Sequence, residues 1–177
     1  MINKTRRANF FLIFLLVLGL AVTYYYSYPE EKIKRGVIID KILVLKAKRK
    51  LLVYSNGTLV KSYTIALGRS PIGDKQFEGD NKTPEGIYKI YAKNPRSGWH
   101  KNLGISYPNL EDRRQAKPLN KSPGGEIKIH GLKNGRGFIG RFHRWKDWTQ
   151  GCIALTNEEV DEIYEHTPIG TTIEIRQ

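Results

Sequence analysis

One cysteine and one methionine stand among the 177 residues. A lone cysteine excludes an intramolecular disulfide. Acidic residues are few, 17 against 30 lysines and arginines, which leaves a net charge of +13. Such a field favours polyanions. The basic residues are scattered, however, and no RNA- or DNA-binding motif is present, so nucleic acid is not an expected partner. No internal repeat appears, which excludes solenoids and propellers. No long span has the composition of a disordered chain. Hydrophobic residues make up 40% of the sequence. About 140 residues remain once the N-terminal segment is set aside, enough for one domain with one core.

That N-terminal segment reads as a targeting signal. Lys4, Arg6 and Arg7 precede thirteen uncharged residues, Phe10 to Val22. The apolar run suits a signal-peptide core, but Thr23 sits where a small residue is wanted for cleavage. Tyr24, Tyr25 and Tyr26 follow, and aromatic residues gather at membrane interfaces. We expect residues 1–26 to form an uncleaved membrane anchor, with a cleaved signal as the alternative. The basic end stays in the cytoplasm. Residues 27–36 then serve as a linker, and 37–177 form an extracytoplasmic or periplasmic domain, expected to be monomeric. Export sharpens the question of the cysteine, because a spare thiol in an oxidising compartment is a liability.

From Val37 the pattern is β. Val37–Leu45 and Leu51–Tyr54 are rich in β-branched and aliphatic residues, Asn56-Gly57 is a hairpin turn, and Leu59–Ala66 returns. Ile87–Tyr91 alternates after a Thr83-Pro84-Glu85-Gly86 turn. Residues 92–124 read as a long irregular insertion. Glu126-Ile-Lys-Ile-His130 alternates again. Thr156 followed by Glu159 is a capping box, predicting a helix with Val160, Ile163 and Tyr164 on one face. Thr171–Ile175 is a last strand. The expected fold is mainly β, with one clear helix and a sandwich-like or mixed sheet.

Two elements carry chemistry. His130 ends a strand and precedes Gly131. Cys152 follows Gly151 shortly before the capped helix. A thiol at a helix N-terminus beside an imidazole is expected to titrate below about 8.5. The imidazole takes the proton, and backbone N–H groups at Gly151 and Cys152 form an oxyanion hole. The competing reading is a structural histidine and a buried, inert cysteine.

Ile129-His130-Gly131 followed by Thr149-Gln150-Gly151-Cys152-Ile153 resembles the catalytic signature of the L,D-transpeptidase (YkuD-type) family. The Asn56-Gly57 hairpin, Ile65–Gly68 and Thr83–Tyr88 are similar to it too. The resemblance implies a β-sandwich-like catalytic domain. It implies that Cys152 attacks the carbonyl joining the third residue of a peptidoglycan stem peptide, usually a diamino acid, to D-Ala. His130 is the base, the Gly131 carbonyl orients it, and Gly151 and Cys152 supply oxyanion donors. D-Ala leaves, and an amine resolves the thioester in cell-wall crosslinking. Hydrolysis by an L,D-carboxypeptidase is the alternative, and a non-catalytic wall-binding module a further one. No metal or organic cofactor is implied.

Three departures from the commonest pattern bear on acceptor choice. Gln150 replaces a histidine, Ala154 replaces a polar residue, and the spacer between His130 and Cys152 is long. That spacer contains His143, Trp145 and Trp148. His143 is read as a lid or surface residue, with a zinc set of His130, His143 and Cys152 as a minor alternative. Thr149, Gln150, Trp148 and His143 are the candidate substrate contacts, and Trp145 is a further candidate wall of the cleft, with core packing as its alternative. Trp99, His100, Tyr107 and Asp112 are candidates to cap the cleft. His166, near the helix end, reads as structural.

Overall fold

The computed structural model describes residues 4–177. The chain forms two compact units that divide between Glu31 and Lys32. The first contains α1, Lys4–Ser27. Within it Asn9–Ser27 is long and apolar enough to cross a membrane by length and composition. Its apolar side chains point outward on all sides, among them Phe10, Leu16 and Tyr24. The Thr23 hydroxyl donates to the Gly19 carbonyl (2.9 Å), so this polar side chain is satisfied within the helix itself.

The second unit is one curled sheet of eight strands. They are β1 (Lys41–Leu45), β2 (Lys50–Ser55), β3 (Thr58–Thr64), β4 (Gly86–Ser97), β5 (His100–Ile105), β6 (Lys128–His130), β7 (Ile153–Ala154) and β8 (Thr172–Arg176). Their order is β3-β2-β1-β8-β4-β5-β6-β7. β1–β8 and β6–β7 are parallel, and the other pairs antiparallel. The Asn56-Gly57 turn joins β2 to β3 with positive φ at both residues (50° and 75°), as a type I′ hairpin needs.

β4 makes the curl. Gly86–Lys89 pair with β8, whereas the ladder from Ile90 onward runs against β5. One strand thus serves both halves of the sheet, and the two edges come round towards each other. They meet where Ala66, just beyond β3, exchanges hydrogen bonds with Ala154 of β7 (3.1 and 2.8 Å). Inside lie Ile42, Leu51, Ile90, Leu103, Ile129 and Ile153, all fully buried. α3 (Asn157–His166) packs on β5 and β6, inserting Val160 and Ile163. Thr156 and Glu159 form the capping box anticipated at its start.

The segment 92–124 departs from the expected irregular loop. It holds half of β4, all of β5, and a second helix, α2 (Leu110–Ala116), capped by Asn109. Asn94-Pro95-Arg96 concealed the strand. Proline lacks the N–H a ladder needs, and here it falls inside a register irregularity between Asn94 and Ser97. The first strand also starts later than expected, at Lys41 rather than Val37.

Ile33 is buried, and its N–H donates to Glu162 (2.5 Å). The same carboxylate accepts from Lys61 Nζ (2.7 Å) and the Tyr63 hydroxyl (2.8 Å). Burial pushes the Glu162 carboxyl up. The hydrogen bonds from Lys61, Ile33 and Tyr63 push it down and win, leaving it below its ordinary 4.5. A folded value below the unfolded one gives stability that is complete above that ordinary value and fades as pH falls through the folded one. Glu162→Gln should therefore cost about 1–3 kcal/mol near neutral pH. Urea unfolding of both proteins should show the gap closing in acid; a gap independent of pH would exclude the ionised carboxylate as its source.

Candidate active site

β6 and β7 bring the two signature elements together. Ile129 pairs with Ile153 and His130 with Ala154, in parallel register. Continued one residue earlier, that register sets Lys128 against Cys152, in keeping with the Lys128 N–H that faces the sulfur. Side chains alternate along a strand, so Lys128, His130, Cys152 and Ala154 share one face while Ile129 and Ile153 enter the core. Cys152 and His130 are diagonal neighbours, with Cα atoms about 8 Å apart from strand spacing and rise. The thiol is directed at the Glu126 carbonyl (3.5 Å) rather than at His130. The Lys128 N–H also points at the sulfur.

His130 is buried, and its Nδ1 lies 2.7 Å from the Gly131 carbonyl. A carbonyl only accepts, so Nδ1 carries the proton and Nε2 keeps its lone pair. The Gly131 turn is itself fastened. Its N–H donates to the Lys101 carbonyl (3.3 Å), and the next N–H, of Leu132, donates to Asn157 Oδ1 (2.9 Å) at the start of α3. Two indoles wall the imidazole. Trp99 lies 5.2 Å from it and Trp148 5.8 Å, centroid to centroid, and the indoles stack on each other at 5.4 Å.

The loop that carries Cys152 is held by Thr149, a buried residue. Its hydroxyl accepts from the Gly151 N–H (3.1 Å) and donates to the Cys152 carbonyl (2.7 Å). Gly151 has φ +133°, and a Cβ there would meet the Lys82 carbonyl at 2.6 Å. Across the seam, a Cβ on Gly68 would lie 2.1 Å from the Asn81 carbonyl and 3.2 Å from the Gly151 Cα. Both positions need glycine for close approach. Asp147 completes the clamp, accepting from the Leu67 N–H (2.8 Å) and pairing with Arg49 (2.8 Å).

The electrostatics depart from expectation. Cys152 does not sit at the helix N-terminus: β7 intervenes, and the N-cap of α3 is Thr156. The dipole acts mainly on its first turn, so that source of acidity is removed. Burial pushes the thiol above its ordinary value, despite the Lys128 N–H. Burial also pushes His130 below its ordinary value, with Lys128 adding repulsion and the Gly131 carbonyl opposing. Both effects favour uncharged partners, so the resting pair is thiol and neutral imidazole.

A family model for the L,D-transpeptidase catalytic domain, YkuD, matches residues 39–175. This chain belongs to that family. It is 30% identical over 131 residues to "Putative L,D-transpeptidase YafK" of Escherichia coli strain K12, a match covering 70% of this chain and 45% of that protein. Its fold is similar to that of the helical cell shape determining protein Pgp2 from Campylobacter jejuni. The TM-score is 0.60 at 26% identity, over 88% of this chain and 55% of that one. An L,D-transpeptidase from Xylanimonas cellulosilytica shares the fold alone, with a TM-score of 0.50 at 16% identity over 83% and 65% of the two chains. The chain spans about half the length of YafK and of Pgp2.

The other candidates fall into place around this L,D-transpeptidase fold. His143 is no surface residue. It is buried, held down to about 3 by burial and then by repulsion from Arg144 and His130, and its Nδ1 accepts from the Trp148 indole (3.5 Å). Neighbouring Arg144 forms a buried ion pair with Glu159 of α3. Gln150 is exposed beside the nucleophile loop. Trp145 is 74% exposed and pairs with Phe142, so it packs away from the imidazole that Trp99 and Trp148 wall. Of the four capping candidates, Trp99 is the one whose ring packs on His130. His100 binds Asp161 (2.8 Å), and Tyr107 and Asp112 are buried beside Tyr88. His166 donates from Nδ1 to the Val37 carbonyl (2.7 Å), an anchoring contact. Among the described residues no group of three His, Cys, Asp or Glu side chains is placed to hold a metal ion. Sequence reasoning overlooked Lys128, although the alternation of residues 126–130 already put it on the His130 face.

Iodoacetamide reacts with thiolate only. Its rate of reaction with Cys152 in the substrate-free protein should therefore rise with pH and reach half-maximum above the ordinary thiol value of 9.0. A plateau reached near neutral pH would mean a resting thiolate–imidazolium pair instead.

Proposed function

We propose that this domain is a cysteine acyltransferase of peptidoglycan stem peptides. The observation that carries the reading is the placement of Cys152 and His130 on one face of two paired strands, with Nδ1 of His130 committed to Gly131. The free Nε2 takes the thiol proton as sulfur attacks the carbonyl before D-Ala. The S–C bond forms and the carbonyl π pair moves onto oxygen. The Gly151 N–H is engaged by Thr149, so we assign the Cys152 N–H as the oxyanion donor. Collapse breaks the C–N bond, and His130 returns the proton to the departing amine of D-Ala. An amine from a second stem peptide then attacks the thioester, passing its proton through His130 back to sulfur. Water in that place makes the outcome hydrolysis. A neutral resting pair suits this cycle, because charge develops only when the substrate carbonyl is present.

Family membership supports the peptide-bond chemistry, and the cell-shape description of Pgp2 supports a role in shaping the wall. α1 supports attachment to the cytoplasmic membrane with the domain outside it. Thr149 acts through the nucleophile loop, while Trp148 and Gln150 border the acyl-donor site, with His143 behind Trp148.

Incubation of the full chain, in detergent, with purified muropeptides tests this. Mass spectrometry should find tetrapeptides converted to tripeptides or to crosslinked dimers, and the product distribution separates hydrolysis from transfer. Cys152→Ala should yield neither product, and His130→Ala should be slower by about 10²–10⁴-fold. Wild-type turnover by Cys152→Ala would defeat the proposal.

A further inference from the structure

Lys128 is the remaining charged side chain on the catalytic face, and the acyl-transfer steps above do not use it. It stands opposite Cys152, one strand spacing away, about 4.8 Å between backbones, and two residues before His130. Its side chain is 31% exposed, and its ammonium contacts the Glu126 carboxylate at 2.5 Å. That carboxylate is 75% exposed. Glu126 itself has φ +58°, a conformation that residues with a Cβ seldom adopt. The strained residue turns its carbonyl to the thiol while its side chain covers the ammonium. A water-facing pair two residues apart adds little to stability, so fold maintenance is a poor account of it.

The other lysine felt by the thiol is Lys75. It is buried and committed to Asp80 (2.8 Å) and the Phe77 carbonyl (3.0 Å). Lys128 alone of the two offers its charge at the surface, behind a carboxylate that a ligand can displace. The cation and the thiolate also stabilise each other's charged forms.

We propose that Lys128 binds a carboxylate of the acyl donor lying beside the scissile bond, and that the Glu126 carboxylate holds that place until substrate arrives. The inference rests on the acyl-transfer reading and names what the site selects. Two donor carboxylates are near enough in covalent structure. One belongs to the departing D-Ala, and the other to the side chain of a dicarboxylic diamino acid at position three. Exchange of one carboxylate for another keeps the ammonium paired throughout, so no charge is left bare in the cleft.

Four tetrapeptides test this with the full chain. Position three is a dicarboxylic diamino acid or lysine, and the C-terminus is D-Ala or its amide. Release of D-Ala or its amide gives kcat/KM for the wild type, Lys128→Gln and Lys128→Arg. Removing the cation also alters the thiol, so the readout is the ratio between substrates within each protein, from which a common effect on the nucleophile cancels. The wild type should prefer carboxylate-bearing donors, and Lys128→Gln should reduce that preference about tenfold. Lys128→Arg, which keeps the charge, should retain most of it. Loss of the preference along the C-terminal pair assigns the D-Ala carboxylate; loss along the position-three pair assigns the side chain. Equal ratios in wild type and Lys128→Gln overturn the inference while leaving the enzyme reading intact. Absence of D-Ala or D-Ala amide release from all four donors with the wild type overturns the enzyme reading itself.

Discussion

Closure of the sheet is the constraint on which the site depends. The last residues after β3 and the two-residue β7 lie at opposite edges of the strand order, and only the curl at β4 brings them together. The joint is narrow: Gly68 and Gly151 pass with backbone almost touching backbone, where any side chain would collide. Thr149 and Asp147 then tie both sides of the seam through hydrogen bonds to main-chain groups. Cys152 therefore sits on a loop with little freedom, although only two residues of β7 lie in the ladder. Rigid presentation of a reactive group matters more than the strength of any one contact, because small displacements are costly in catalysis.

The second theme is the low polarity of the place in which the pair is held. Stacked indoles cover His130, and burial keeps both the imidazole and the thiol in their neutral forms. A neutral pair is less nucleophilic at rest than a thiolate–imidazolium pair. It is also less exposed to unwanted oxidation, since the thiolate is the reactive form. His143 extends the same logic. Buried and uncharged, it supports Trp148 without placing a second titrating charge near His130.

Much of this was legible in the order of residues. The hairpin at Asn56-Gly57, the capping box at Thr156 and Glu159, and the alternation through His130 are local signals. Each rests on neighbours a few positions away; the hairpin and the capping box appear where they were expected, and the strand only over Lys128–His130, because Glu126 takes a positive φ. The strand through Asn94-Pro95-Arg96 was not legible. Its pairing with β5 and β8 overrides unfavourable local propensity, and a partner strand is not visible in the strand's own sequence. The same limit applies to the thiol. Its distance from a helix cap was misjudged because a two-residue strand leaves almost no periodic trace.

The sequence by itself determined the family, the nucleophile and base candidates, the apolar N-terminal helix and the mainly β character. These follow from residue types at short, fixed spacings. Only the tertiary structure decided that Trp99 rather than Trp145 walls His130, and that His143 is buried rather than on the surface. It alone decided that Lys128 flanks the thiol while Lys75 is locked away. Those outcomes depend on which strands pair and how the sheet bends, and on the burial that results. Burial, which sets the protonation of Cys152 and His130, belongs to the packed whole and to no single stretch of chain.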